Sequence, residues 1–280
     1  MALGNIPMLV ISSFWGHWVF GDAACRTYAF IGSASSFVSI NTLAVISVDR
    51  CLVIVRTIPG HNNMTRRTFI LIIASIWTYA ILWAAGPLFG FGNYILEGTN
   101  TSCTFDFLTR TSIVRAYVVS IFMAHFIIPI GVIAASYSLI FRAISKFKHE
   151  FREATKVFGE NELPLHMRKS DKGYSHEAKT ARVTLTVILV FCVSWTPYAT
   201  VAMIGEFGDL SKITRLAAGI PCLFAKCSTI VNPIVYALVH PKFRSKLINF
   251  GACTQTEEDR RQEQYRRTVV HFRSRKQSSV

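Results

Sequence analysis

Formal charge is scarce in this sequence. Asp, Glu, Lys and Arg make up 16% of its 280 residues, while 51% are hydrophobic. The scarcity is local. Residues 1–20, 27–48, 69–94, 116–141 and 183–205 carry no formal charge, and 216–239 carries one. Runs of 18 or more such residues are long enough to cross a hydrocarbon core of ~30 Å at ~1.5 Å per residue, so the distribution is that of a membrane protein with six spans. Other features are missing as well. The seven cysteines form no paired Cys-x-x-Cys pattern, which removes the usual zinc frameworks. The apolar start lacks the basic flank and small-residue cleavage site of a signal peptide. There is no low-complexity run and no internal repeat, and the spans hold no acidic residue, which argues against a transporter.

What is present is an all-α pattern. In lipid each backbone amide must be satisfied within its own segment, so runs containing Pro129, Pro197 and Pro233 are expected to be kinked helices and not strands. The net charge of +14 could point to nucleic acid, but its placement excludes that reading. Of the 30 Lys and Arg, 24 lie in segments 49–68, 142–182 and from 240 onward. Only five lie in 21–26, 95–115 and 206–215. This is a positive-inside pattern, and it places the basic face toward cytoplasmic anionic lipid and acidic partner surfaces.

The single charge in the last run is Lys226. Ten residues of helix from Leu216 put it about 15 Å deep, where an ammonium costs ~2.5–3.5 kcal/mol and usually marks a functional site. The alternatives are a side chain that snorkels to the interface, which the depth disfavours, or a salt bridge that serves packing alone. Six residues later come Asn232, Pro233 and Tyr236 in the pattern Asn-Pro-x-x-Tyr. The 183–205 run carries Ser194-Trp195-Thr196-Pro197-Tyr198, and Asp49-Arg50-Cys51 ends another span. With these motifs in fixed register up to about residue 250, the chain resembles the opsins, and specifically the rhabdomeric, invertebrate-type branch of the rhodopsin-like G-protein-coupled receptors.

The resemblance implies a seven-helix receptor bundle that binds 11-cis-retinal as a protonated Schiff base on Lys226. That positive charge needs an anion in a low-dielectric pocket. Glu97, six residues before Cys103, matches the loop glutamate that serves as counterion in invertebrate-type opsins. Tyr28 stands where vertebrate visual opsins place theirs, and a neutral tyrosine can hydrogen-bond without balancing charge. Trp195, Phe191, Tyr198, Phe126 and His125 are implied to form an aromatic slot for the polyene. Cys25 and Cys103 lie on the side away from the basic loops. Either two free thiols or a bridge suits the residues, and the resemblance implies the bridge. Asn100-Thr101-Ser102 on that side is a glycosylation sequon.

On the cytoplasmic side the resemblance implies a charge pair within Asp49-Arg50 and a lock between Arg50 and Glu177 that holds the resting state. Tyr137 and Tyr236 match the two tyrosines that turn inward in active receptors. His240-Pro241-Lys242 resembles the tripeptide of opsins that signal through Gq-type G proteins. The implied partners are therefore a heterotrimeric G protein of Gq type, arrestin and membrane lipid. The implied location is the plasma or a photoreceptor membrane, and no enzyme activity is expected. The chain departs from the family pattern at Cys51, where tyrosine is usual, and at Ser194, where cysteine is commoner. The expected organisation is a bundle over 1–250, including an amphipathic helix at 241–250, and a disordered basic tail over 251–280 with Cys253 as a palmitoylation candidate. Loop 142–182 is expected to extend helices five and six in part and to be mobile around Gly159, Pro164 and Gly173.

Residues 7–25 resemble the end of the second receptor helix and the turn into the third. By that register the first helix is lacking, and the six-span product is expected to fold poorly or signal weakly unless a further N-terminal segment exists. Two other functions stay open on the sequence. One is a retinal photoisomerase, against which Asp49, Arg50, Glu177 and His-Pro-Lys weigh. The other is a receptor for a diffusible ligand that uses Lys226 to anchor an anion.

Overall fold

The computed structural model describes residues 2–55, 65–159, 162 and 164–239; within 229–239 only the backbone is described. His240, Pro241, Lys242, the expected helix at 241–250 and Cys253 lie outside the described residues. The chain divides into two compact units, Met1–Asn232 and Pro233–Val280. The second is described only as the last turns of a helix.

The first unit is a bundle of helices. α1 (Ala2–Trp15) is followed by α2 (Gly21–Val55), α3 (Arg66–Ala85) and a 3₁₀ turn, Gly86–Phe89. A short hairpin of β1 (Tyr94–Leu96) and β2 (Cys103–Phe105) precedes α4 (Ser112–Phe122), a π turn (Met123–Ile127) and α5 (Ile128–Phe158). α6 (Leu165–Phe207) and the part of α7 (Arg215–Val239) up to Asn232 complete it. Thr65 and Thr111 cap α3 and α4, their hydroxyls accepting from the amides of Thr68 and Val114. The π turn has a cause in the sequence. Pro129 has no N–H to offer the carbonyl four residues back, so the chain widens ahead of it and the Ile128 amide bonds to the Met123 carbonyl. α4, the turn and α5 thereby run on as one 47-residue helix.

Among the described residues, four helices are long and apolar enough to cross a membrane: Gly21–Val55, Arg66–Phe89, Ser112–Phe158 and Gly173–Phe207. The run expected over 1–20 is not helical throughout. α1 stops at Trp15 and Gly16 turns the chain with φ 71°, so α1 rises only about 21 Å. Small buried residues, Ala80, Ala84, Ala202, Ala218 and Ala225, let the helices approach closely around Phe37 and Tyr117. Phe14, Leu82 and Phe89 point outward. The helix hydroxyls of Ser35, Ser39, Thr196 and Thr200 bond to the carbonyl four residues back, so these four do not face the apolar exterior unpaired.

The described residues of segment 142–182 are more helical than expected. α5 reaches Phe158, α6 begins at Leu165, and Gly173 lies inside that helix. The Lys, Arg, Glu and Ala of this stretch are good helix formers, and one glycine costs only ~1 kcal/mol. Packing supplies the rest. Tyr174 stacks on Phe147 with ring centroids 4.1 Å apart, and its hydroxyl donates to the Ile54 carbonyl at 3.2 Å.

The hairpin replaces what the sequence offered as a loop from 95, and it takes Tyr94 away from the span expected over 69–94. β1 and β2 pair antiparallel, Tyr94 with Phe105, Ile95 with Thr104 and Leu96 with Cys103. A disulfide joins Cys103 to Cys25 at the start of α2, as the resemblance implied. At the tip the Trp18 amide donates to the Asn100 carbonyl at 2.6 Å. Gly98 lies so close to α7 that a Cβ would come within 2.8 Å of the Arg215 carbonyl oxygen, which leaves no room for another residue there.

Tyr94 reports on this hairpin. Its hydroxyl donates to the Ala84 carbonyl at 2.6 Å, and burial pushes its pKa from 10.0 up to about 12. The folded state therefore holds this proton more tightly than the unfolded state. The stabilisation, of order 2–3 kcal/mol, is fully present below pH ~10 and is lost as pH rises toward 12. Alkaline unfolding followed by hydrogen exchange is expected to release the hairpin over that window, and Tyr94→Phe to remove the dependence. Identical alkaline profiles for the two proteins would contradict this.

Candidate functional site

Lys226 lies on α7 facing inward, with 15% of its side chain exposed. Its Nζ donates to Glu97 Oε2 at 2.9 Å and to Ser102 Oγ at 2.9 Å. The Glu97 side chain is 2% exposed. Ser102 Oγ in turn donates to Glu97 Oε2, so lysine, serine and carboxylate close a triangle. The hairpin turn explains how a loop delivers these groups. Glu97 and Ser102 flank the tip just beyond the last strand pair, the Glu97 amide bonds to the Ser102 carbonyl at 2.8 Å, and Asn100 takes φ 58° to close the turn. Nζ also stands 5.4 Å from the centroid of the Tyr28 ring, a cation–π placement.

A buried ammonium and carboxylate are each costly alone, and the pair is tolerable because each faces the other and both share the Ser102 hydroxyl; among the described residues, Glu97 Oε1 is left buried without a hydrogen-bond partner. An amine held this way is a defined point of attachment or charge recognition at the end of a cavity. Space opens beside Lys226 and Tyr28, lined further on by Thr104, Trp195 and Tyr198. A second space shares Phe37, Phe105, Trp195 and Tyr198 with the first and runs on to Phe122, His125 and Phe126. Together they form a slot that is polar at the lysine and mostly apolar and aromatic elsewhere. The residue set fits a long apolar molecule with one electrophilic or anionic end at Lys226.

The slot's aromatic residues are fixed by named contacts. Trp195 stacks on Phe191 at 5.6 Å, meets Tyr198 edge-on at 6.1 Å, and donates from Nε1 to Ser228 Oγ at 3.1 Å. The Tyr198 hydroxyl bonds to Thr104 Oγ1 on β2. His125, inside the π turn, stacks on Phe37 at 3.9 Å, and its Nδ1 is 2.9 Å from the Asn41 amide nitrogen. Phe126 stacks on Phe122 at 5.3 Å. Thr104, Asn41 and Ser228 do not stand out in the sequence, and Ser102 stands out there only as the third residue of the sequon. Ser102 could have been sought as the neighbour of Cys103, but a lone hydroxyl carries no pattern.

At the opposite end Arg50 pairs with Asp49, and its Nη1 lies 3.0 Å from Glu177 Oε2, joining α2 to α6. The Tyr137 hydroxyl donates to the Ala181 carbonyl at 3.0 Å. Cys51 is buried among Ile54, Ile140, Tyr174 and Ala181. Asn232, Pro233 and Tyr236 lie within α7, where only the backbone is described.

Comparison with known proteins agrees with this geometry. The family model for the 7 transmembrane receptor (rhodopsin family) matches residues 1–236. A rhodopsin of Mizuhopecten yessoensis, named as Gq-coupled, is 39% identical over 246 residues, which are 88% of this chain and 48% of that protein. Melanopsin of Rattus norvegicus is 38% identical over 253 residues, 90% of this chain and 52% of that one. The crystal structure of squid rhodopsin superposes with a TM-score of 0.81 at 37% identity, covering 91% of this chain and 72% of that one. The chain spans about half the length of the curated relatives it matches. It is a multi-pass membrane protein and belongs to the rhodopsin family of seven-transmembrane receptors, with invertebrate rhodopsins and melanopsins among its relatives.

Proposed function

We propose that the chain senses light as an opsin, holding retinal on Lys226 and activating a Gq-type G protein on illumination. The observation that carries this reading is the Lys226–Glu97 pair, 2.9 Å apart and buried, at the head of an apolar aromatic slot. Retinal would supply an aldehyde for linkage to the lysine amine and a polyene that changes shape in light.

The chain's own residues do the rest. Glu97 keeps the nitrogen of residue 226 positively charged, Ser102 bridges the two groups, and Tyr28 offers its ring face without adding charge. The hairpin that carries Glu97 and Ser102 covers this end of the slot and keeps both of these side chains buried. Trp195, Phe191 and Tyr198 on α6, with His125 and Phe126 across from them, form walls that press against a ligand whose shape changes. α6 also carries Glu177, so displacement of its pocket face strains the tie to Arg50 and biases the bundle toward an open cytoplasmic end. Tyr137, Asn232, Pro233, Tyr236 and His240-Pro241-Lys242 take the activation and coupling roles of the motifs they match, and arrestin is the second partner. The Arg50 tie to Asp49 and Glu177 favours a signalling receptor over a photoisomerase that only turns over retinal.

The reading is tested in membranes containing the chain, 11-cis-retinal and a purified Gq heterotrimer. Nucleotide exchange that rises on illumination is expected, and it should be lost when retinal is omitted. Light-independent exchange, or retinal turnover with no exchange, would sink the signalling reading.

A further inference from the structure

His125 carries a polar atom that the bundle leaves unengaged. Its Nε2 is buried and, among the described residues, has no hydrogen-bond partner. The other polar side chains lining the same space are engaged. Ser36 Oγ donates to the Gly32 carbonyl at 2.8 Å, Trp195 Nε1 donates to Ser228 Oγ at 3.1 Å, and the Tyr198 hydroxyl bonds to Thr104 Oγ1. The Asn41 amide fixes which nitrogen of His125 holds the proton. Asn41 Nδ2 lies 2.7 Å from the Phe37 carbonyl oxygen and 2.9 Å from His125 Nδ1. A carbonyl only accepts, so the amide atom facing it is the nitrogen, and an amide nitrogen only donates. Nδ1 therefore accepts, the ring is neutral, and its proton sits on Nε2. The unengaged atom is a donor.

Packing holds this donor where it is. The ring stacks on Phe37 at 3.9 Å, meets Trp83 edge-on at 5.9 Å, and belongs to the π turn ahead of Pro129. His125 lines the space that runs on to Phe122 and Phe126, whereas Lys226 lines only the space at the other end of the slot. A buried N–H without an acceptor is costly, and folded proteins keep few of them. A trapped water is a poor remedy here, because it needs several polar partners and the neighbouring ones are already engaged. An acceptor oxygen carried on an apolar body has no such difficulty. A polyene whose aldehyde end is at Lys226 puts its ring at the His125 end.

We propose that His125 is a specificity-determining residue whose Nε2–H selects a retinoid bearing an acceptor oxygen, a ketone or a hydroxyl, on its ring. This rests on the slot being a retinoid site. Plain retinal still fits the slot but leaves the donor unmet, so the oxygenated ligand is preferred. The preference is for an acceptor specifically, because the Asn41 amide holds the proton on Nε2.

The test uses the full chain in lipid nanodiscs and three retinols, alcohols that form no Schiff base at Lys226, each titrated by quenching of tryptophan fluorescence. One is 11-cis-retinol, one has a ketone on the ring, and one has a methyl group at the same ring carbon to control for size. The ketone is chosen because its oxygen only accepts. The native chain is expected to bind the ketone roughly tenfold more tightly than the other two. The preference is expected to vanish in His125→Phe, which keeps an aromatic ring against Phe37 but has no donor. In the native chain, the Nε2 proton resonance of His125 is expected to move downfield with the ketone and not with the methyl compound. Equal Kd values for the three ligands in the native chain would overturn the proposal, whether or not His125→Phe folds. So would a preference that survives in folded His125→Phe, or a resonance that the ketone leaves in place. If the native chain shows no saturable quenching by any of the three, the retinoid reading of the slot fails and this selection falls with it.

Discussion

In ligand-free protein, Glu97→Gln is expected to lower unfolding free energy by about 3–5 kcal/mol, the usual cost of breaking a buried ion pair from one side. Lys226 is then left with Ser102 Oγ and the Tyr28 ring, neither of which balances its charge. The double variant Lys226→Met/Glu97→Gln should recover most of the loss, because the cost is that of the stranded ammonium and not of the missing attraction. Thermal unfolding of the four proteins in the cycle measures this. Equal midpoints for native and Glu97→Gln would mean the pair contributes nothing and that Lys226 finds other compensation. With retinal bound, the same substitution is expected to move the visible band at pH 7 into the near ultraviolet, since no carboxylate would hold the linking nitrogen protonated.

Cys25→Ser is expected to be nearly as costly. The bridge closes a separation of 78 residues, for which the chain-entropy model gives about 4.5 kcal/mol. Its local effect is larger than its share of the bundle, because β1 and β2 are three residues each and cannot stand alone. Without the tie to α2, the turn carrying Glu97 and Ser102 loses its anchor, and the Lys226 amine opens to water. Labelling by an amine reagent at neutral pH should therefore rise at Lys226 in Cys25→Ser and stay low in the native chain. Equal labelling would show that the Trp18–Asn100 contact and the strand pairing hold the hairpin unaided.

Much of this architecture was legible in the sequence because lipid permits so few solutions. Long uncharged runs must be helices, so the one charge among them stood out as Lys226. Register supplied its partner. Glu97 and Lys226 are 129 positions apart, and only the spacing from Glu97 to Cys103 tied them to one end of the bundle. What stayed hidden depends on tertiary contact. Two three-residue strands have no periodicity to read, and Ser102, Thr104, Asn41 and Ser228 are ordinary hydroxyls and an amide until another helix faces them. The helical continuation through Gly173 was missed because charge and glycine signal a loop locally, while the Tyr174–Phe147 stack that holds it is a contact between distant segments. The π turn at His125 follows from Pro129, but the proline alone predicts a kink and not which residue it turns toward the slot.

Retinal attachment at Lys226 is tested most directly by the absorption spectrum of the chain reconstituted with 11-cis-retinal, recorded beside Lys226→Ala. A visible band in the native chain that vanishes in the variant is the predicted result. Folded native protein with no such band, or a band that survives in Lys226→Ala, would contradict it.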